Sequence, residues 1–167
     1  MRNYLSVDKD YTLWGLLIQA RDMVFKTREK ELRQYGISPE EAAVLFIAQS
    51  IGNQATPAEI SRWLLRKPHT VSGILSRMEK KGLVRKTKDL DRENLVSVTL
   101  TEKGQQAYHQ STKIESIRQI MSSLSEEESQ QLGSCLRILR DRALKELGMS
   151  QPPLPPLRTS TTAIERQ

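Results

Sequence analysis

The segment 84–100, VRKTKDLDRENLVSVTL, constrains the fold more than any other part of the chain. It begins with strand-forming residues, passes through a run of charges and returns to an alternating pattern in which Val96, Val98 and Leu100 share one face. This pattern predicts a β-hairpin with a charged tip. A helical pattern ends immediately before it at Gly82, a residue that readily adopts the left-handed conformation of a helix stop.

Two short helical patterns precede the hairpin. The first begins with Thr56 and Glu59, which are spaced as a capping box, and the same spacing recurs upstream at Ser38 and Glu41. The second begins after only about four turn residues, with Pro68 near its start. Two helices joined by so short a turn predict a helix-turn-helix.

The second of these helices, residues 68–81, has an apolar side made of Val71, Ile74, Leu75 and Met78. The opposite side carries small hydrogen-bonding groups with cations at its edge: His69, Thr70, Ser72, Gly73, Ser76, Arg77 and Lys80. Short side chains let a helix backbone approach the major groove of DNA, whereas a solvated helix face usually carries long Glu and Lys residues. Contact with DNA is therefore the favoured interpretation, and a solvated face is the alternative.

The positive charge is concentrated around these elements. The 167-residue chain has a net charge of +6, and residues 56–104 hold eleven Lys/Arg against six Asp/Glu, or +5 of that total. Such clustering favours a polyanionic partner. Arg66 and Lys67 lie in the turn, where Lys67 is a poor N-cap that would leave first-turn amides free for a phosphate or for water.

The hairpin adds further cations: Arg85, Lys86 and Lys88 on its first arm and Arg92 at its tip. A guanidinium on a thin protrusion can enter a minor groove that is too narrow for a helix. A solvated turn with incidental ion pairs explains the tip equally well, so both interpretations stay open.

The sequence contains little that would support catalysis or metal binding. Cys135 is the single cysteine, His69 and His109 are the only histidines, and no Ser/His/acid set, glycine loop for phosphates or paired-carboxylate motif stands out. We therefore expect no catalytic residue, no metal site and no cofactor. No apolar run reaches the roughly 18 residues of a membrane span, and the first residues lack the apolar core of a signal peptide, so we expect a cytoplasmic protein without membrane contact.

Long amphipathic patterns flank the central lobe. Residues 11–35 predict one long helix, and two more are predicted after Thr101, the second starting with a capping box at Ser125 and Glu128. Cys135 falls in the apolar stripe of the last helix and is interpreted as a buried packing residue. A lobe of about 65 residues cannot cover the apolar faces of three long helices, but a second copy of the chain can.

The predicted fold class is mainly α with a small β-hairpin (α+β), a winged helix-turn-helix whose N- and C-terminal helices form a dimerisation domain. The predicted boundaries are 1–36 for the N-terminal dimerisation helix, 37–100 for the winged helix-turn-helix lobe with its recognition helix at about 68–81 and its wing at about 83–100, 101–148 for the C-terminal dimerisation helices, and 149–167 for a flexible proline-containing tail.

The segment SGILSRMEKKGLVRKTKDLDRENLVSVTLTEKG resembles the MarR-type transcriptional regulators. It contains the family's E-x-x-G-L-V, the Asp-Arg pair of the wing and V-x-L-T-x-x-G, at Glu79, Gly82, Leu83, Val84, Asp91, Arg92, Val98, Leu100, Thr101 and Gly104. Lys86 stands where an arginine is common, and Glu93 stands where many relatives have a second basic residue. The acid at Glu93 should reduce phosphate attraction at the tip.

The resemblance implies an obligate homodimer that reads a pseudo-palindromic site on double-stranded DNA, with Arg92 in the minor groove and Asp91 bracing the wing. With the recognition helix and its turn, the predicted DNA contacts are Arg66, Lys67, His69, Thr70, Ser72, Gly73, Ser76, Arg77, Arg85, Lys86, Lys88, Asp91 and Arg92. We expect a repressor. The alternative is a winged-helix protein-interaction module with weak or no DNA binding.

Members of this family often respond to small aromatic or phenolic ligands bound between the dimer helices and the winged lobe, or to oxidants through cysteine. The aromatic residues that could line such a pocket are Trp14, Phe25, Phe46, Trp63 and Tyr108. Packing in the core is the alternative role for most of them.

Overall fold

The computed structural model describes residues 8–52, 55–89 and 95–152. In these ranges the chain forms, in order, α1 (Lys9–Arg33), α2 (Pro39–Ile51), α3 (Pro57–Leu64), α4 (Pro68–Lys80), β1 (Val84–Asp89), β2 (Leu95–Leu100), α5 (Glu102–Ser111), α6 (Glu115–Met121) and α7 (Glu126–Glu146). The predicted fold class is confirmed, because the fold is mainly helical with one antiparallel hairpin directly after a helix-turn-helix.

Reciprocal capping boxes start three of the helices, as the sequence predicts. In each box a hydroxyl accepts a hydrogen bond from the backbone amide three residues on, and a glutamate carboxylate accepts one from the amide of the cap residue. The pairs are Ser38 with Glu41 for α2, Thr56 with Glu59 for α3, and Ser125 with Glu128 for α7. Each box satisfies two amides that the helix itself leaves unpaired, at a gain of about 1 kcal/mol.

The apolar side of α4 lies in the main core. Its buried residues are Val71, Ile74, Leu75 and Met78, as predicted, and they belong to one cluster with Leu32, Val44, Leu45, Ile60, Val84 and Val98. Full burial of a side chain of this size contributes roughly 1.5–3 kcal/mol. The recognition helix is therefore held firmly on one side, and its polar side faces outward.

The hairpin is anchored to the lobe at its base. β1 and β2 pair in register from Val84 opposite Leu100 to Asp89 opposite Leu95. Val98 is fully buried, and its amide donates a 2.7 Å hydrogen bond to the Ala55 carbonyl in the α2–α3 connection. The tip, with Asp91, Arg92 and Glu93, lies outside the described residues.

The prediction of a single long helix between the hairpin and the last helix is wrong. α5 ends at Ser111, α6 begins at Glu115, and Ile114 between them has a left-handed backbone with a φ of 45°. Two side chains of α1 satisfy the helix ends at this break. Arg28 donates to the Ser111 carbonyl oxygen, and the Glu31 carboxylate accepts from the Glu115 amide at 3.0 Å.

The two longest helices bury very little of their surface within one chain. In the described structure Leu32 is the only buried residue of α1, and Leu144 is the only one of α7. Cys135 is exposed, so the prediction of a buried cysteine is wrong for the single chain. The physical reason is that no described part of the chain covers the apolar stripe on which Cys135 lies.

Residues 149–152 continue beyond α7 without regular structure, and the rest of the predicted tail lies outside the described residues. No helix in the described ranges combines the length and the apolar content needed to cross a membrane.

Candidate nucleic-acid interface

The turn between α3 and α4 holds Arg66 and Lys67 at the surface. Leu65 adopts a left-handed backbone conformation there, with a φ of 52°. The hydroxyl of the buried Ser61 donates to the Arg66 carbonyl oxygen at 2.5 Å, and the Arg66 amide donates back to the Ser61 carbonyl at 3.1 Å. Both cations are exposed and are carried by a turn with a defined backbone.

The start of α4 offers fewer amides to an anion than the sequence suggests. Lys67 makes no side-chain cap, as predicted. The amides of Thr70 and Val71 nevertheless both donate to the Lys67 carbonyl oxygen, at 3.0 and 3.2 Å, and Pro68 has no N–H. An anion at this position would therefore depend mainly on the side chains of Arg66 and Lys67.

The outer side of α4 carries the predicted polar residues. His69, Thr70, Ser72 and Arg77 are exposed, and Gly73 and Ser76 are half-buried. Arg77 Nη1 lies 3.7 Å from the point that a Cβ on Gly73 would occupy, so the guanidinium extends along the helix face. The face combines a flat centre, hydroxyl groups and a cation, a combination that suits base edges and phosphates together.

Lys86 lies at the base of the wing, where its side chain turns back toward α4. Its Nζ is 2.8 Å from Glu79 Oε2. Arg85 and Lys88, on the same strand, are exposed. The predicted site residues Asp91 and Arg92 lie outside the described residues. Glu79 was not predicted as a site residue, although opposite charges on either side of the Gly82 turn are a signal that could have identified the pair.

An open groove of about 540 Å³ lies between the start of α2 and the outer side of α4. It brings together three of the predicted contacts, Arg66, Thr70 and Arg77. Two of its lining residues form an ion pair, because Lys81 Nζ is 2.8 Å from Oε2 of the buried Glu41. Sequence reasoning missed this second ion pair, because a capping glutamate gives no sign that it also pairs across the fold.

The five aromatic candidates for a ligand pocket do not form one cluster in the single chain. Tyr108 belongs to the main core, and Phe46 and Trp63 pack against that core. Trp14 is exposed beside Tyr11, and Phe25 is half-buried on α1. The groove at α4 is lined by none of the five. Their role as pocket residues stays a prediction.

Comparisons with known proteins agree with this architecture. A family model described as the MarR family matches residues 35–92. The homoprotocatechuate degradative operon repressor of Escherichia coli is 27% identical over 118 residues, which is 70% of this chain and 79% of that protein. The organohalide-sensing transcriptional regulator RdhR-CbdbA1625 is 30% identical, with a TM-score of 0.82 over 92% of this chain and 94% of that one, in both its 2,4-dichlorophenol-bound and ligand-free forms. The Staphylococcus aureus MepR–DNA complex, at 24% identity, shares the fold with a TM-score of 0.72 over 81% of this chain and 99% of that one.

The fold and its outward-facing polar helix define a winged helix-turn-helix protein. The chain belongs to the MarR family, and it is a transcriptional regulator, as the resemblance in the wing segment predicts. These relatives regulate transcription and are not enzymes, which confirms the prediction that this chain is not an enzyme.

Proposed function

We propose that this regulator is a homodimeric repressor in the cytoplasm that binds a pseudo-palindromic site on double-stranded DNA. The observation that carries the proposal is the division of α4 into two sides. Its apolar residues are all buried, while the residues opposite them are polar, small or cationic and face outward. A helix held in this way can enter the major groove without rearranging the lobe.

The proposed DNA contacts fall into two groups. Those of the helix-turn-helix are Arg66, Lys67, His69, Thr70, Ser72, Gly73, Ser76 and Arg77. Those of the wing are Arg85 and Lys88 on β1 with Arg92, braced by Asp91, in the minor groove. Lys86 is left out of this set because it pairs with Glu79. Docked together, the two elements would read adjacent major and minor grooves.

The exposed apolar faces of α1 and α7 support a dimer. Leu13, Trp14 and Leu17 on α1 and Leu136 and Leu139 on α7 each leave more than two fifths of their surface open to solvent. Two long helices with such exposed apolar surfaces need a partner, and a second copy of the chain is the simplest one. We therefore propose 1–36 and 101–148 as the dimerisation regions, 37–100 as the DNA-binding lobe and 149–167 as a tail outside both.

A small aromatic effector is proposed from the relatives. The regulator RdhR-CbdbA1625 is described with 2,4-dichlorophenol bound, and it is 30% identical to this chain. Phenolic compounds are thus the first class to test as ligands that release the repressor. Trp14 and Phe25 remain candidates for the lining because the second chain of a dimer would lie against α1.

A winged-helix interaction module without DNA binding is the second candidate. The pairing of Lys86 with Glu79 and the acid at Glu93 favour it, since both reduce the attraction of the wing for phosphate. The net charge of +5 over residues 56–104 opposes it.

Gel-shift binding to duplexes from the region upstream of its own gene separates these candidates. We expect Lys67→Ala and Arg92→Ala each to weaken binding while the dimer stays intact, and Lys113→Ala, an exposed lysine between α5 and α6, to leave it unchanged. Wild-type protein that binds neither these duplexes nor random duplexes at low salt would support the interaction module instead.

A further inference from the structure

Three contacts join the base of the wing to the recognition helix through one residue, Lys86. Its Nζ is 2.8 Å from Glu79 Oε2, its backbone amide donates to Glu79 Oε1 at 3.3 Å, and the same Nζ donates to Ser76 Oγ at 3.5 Å. Both carboxylate oxygens of Glu79 are therefore used by a single wing residue. The hydrogen bond from the Lys86 side chain is the largest of the effects that together hold the pKa of Glu79 below its usual value.

The position of the pair makes it suited to setting the angle of the wing. Glu79 is the penultimate residue of α4, and Lys86 is the third residue of β1, directly opposite the buried Val98. The strand continues from Lys86 to Asp89, about 10 Å at 3.3 Å per residue, before it reaches the tip. A small tilt at Lys86 therefore produces a larger displacement of the tip.

The charge of Lys86 is poorly available to a phosphate. The Lys86 side chain is 27% exposed, and its ammonium group already faces a carboxylate at hydrogen-bonding distance. A phosphate that approached it would compete with Glu79 and be repelled by the same group. A paired lysine of this kind has little charge left with which to displace the counterions of DNA.

We propose that Lys86 and Glu79 are positioning residues that fix the wing on the recognition helix, and that Lys86 does not contact phosphate. This rests on the proposed function, in which α4 and the wing bind DNA together. It follows that an acidic residue within the basic surface assists DNA binding. Removing the negative charge of Glu79 should then weaken binding, whereas a purely electrostatic account predicts the reverse.

Fluorescence anisotropy measures the affinity of each variant for duplexes from the region upstream of the gene, with potassium chloride varied between roughly 50 and 200 mM. The variants are Glu79→Gln, Lys86→Gln and the double variant. Lys88→Gln is the matched control, because Lys88 is an exposed lysine on the same face of β1, two residues nearer the tip. Lys86→Arg preserves the ion pair and serves as the conservative variant.

We expect Glu79→Gln and Lys86→Gln each to weaken binding about twofold to fivefold per lobe, with the double variant no weaker than either. The slope of log Kd against log salt concentration should stay at its wild-type value in Glu79→Gln and in Lys86→Gln. In Lys88→Gln the slope should fall by about 0.9 per lobe. Lys86→Arg should retain wild-type affinity.

Tighter binding by Glu79→Gln, or a reduced slope in Lys86→Gln, would overturn the positioning role, because Lys86 would then act through its own charge. Wild-type protein that fails to bind would overturn the proposed function itself. Amide hydrogen exchange without DNA tests the pair separately. The Lys86 amide should exchange faster in Glu79→Gln than in wild type or Lys88→Gln, and equal rates in all three would contradict the pairing.

Discussion

Lys81 Nζ lies 2.8 Å from Oε2 of Glu41, and this ion pair joins the end of the recognition helix to the first turn of α2. The buried Glu41 carboxylate also accepts a hydrogen bond from the Ser38 amide at 2.9 Å, and Lys81 Nζ donates to the Gly36 carbonyl oxygen at 3.1 Å. One lysine thus holds α4 in place at its C-terminal end.

Lys81→Met should therefore destabilise the lobe. The substitution leaves a buried carboxylate with one partner fewer, at a cost of about 1–3 kcal/mol. Urea unfolding measures this loss in the free energy of unfolding. The protein concentration is kept fixed, because the stability of a dimer depends on concentration. The neighbouring Lys80→Met, at an exposed position, should change the free energy of unfolding by less than about 0.5 kcal/mol. Equal losses in the two variants would contradict the role of the ion pair.

Gly104→Ala should disturb the junction between the hairpin and α5. A Cβ at this position would lie 1.9 Å from the Leu83 carbonyl oxygen, and the backbone would have to move to relieve the clash. We expect a loss of about 2 kcal/mol or more. Gly73→Ala is the control, since its Cβ would meet only the end of the Arg77 side chain at 3.7 Å. That variant should gain about 0.5–1 kcal/mol in stability from its helical position. A Gly104→Ala variant with the free energy of unfolding of wild type would contradict the close approach of residue 104 to the Leu83 carbonyl oxygen.

The features predicted correctly from the sequence are those that short-range patterns determine. The three capping boxes and the apolar side of α4 depend on residues within a few positions of one another. The break between α5 and α6 depends on Arg28 and Glu31, more than eighty residues away along the chain, and the helical pattern continues through it.

The site was predicted less completely, for a similar reason. The outer side of α4 follows from helical periodicity, but the pairing of Lys86 with Glu79 and of Lys81 with Glu41 depends on how elements pack. Lys86 was predicted as a DNA contact from its charge alone, and the sequence does not reveal that Glu79 pairs with it. Cys135 is exposed in the single chain because its stripe lies on a face that this chain leaves open.

Glu31 should make the free energy of unfolding depend on pH. Burial raises its pKa, but the hydrogen bonds from Ser116 and Arg28, the charge of Arg28 and the Glu115 amide outweigh burial and hold the pKa below its usual 4.5. A carboxyl group with a lowered folded pKa adds stability above its unfolded pKa, and that stability is lost as the pH falls through the folded pKa. The advantage of wild type over Glu31→Gln should therefore be full at pH 7 and shrink below about pH 4.5.

Urea unfolding of both proteins at several pH values measures this difference. Glu29→Gln, at an exposed neighbouring position on α1, should differ little from wild type at every pH. A difference between wild type and Glu31→Gln that stays constant or grows on acidification would contradict the linkage.

Leu139→Lys should produce a monomer. Leu139 is 55% exposed in the single chain, and burying a new charge in the proposed interface would cost more than the contact provides. Sedimentation velocity measures the mass. Gln130→Lys, which places the new charge on the opposite side of α7, should remain dimeric. Cys135 gives a second readout, since a thiol reagent should modify it faster in the monomeric variant than in wild type. Dimeric Leu139→Lys with unchanged thiol reactivity would contradict the assignment of this face.

Hydroxyl-radical footprinting on the region upstream of the gene tests the central claim most directly, because it locates the protein on the DNA. Two outward-facing α4 helices in one dimer should protect two segments separated by roughly one helical turn, about 10 base pairs. Lys67→Ala should reduce the protection of both segments together. A single protected segment, or none at salt concentrations where the protein is dimeric, would contradict the account.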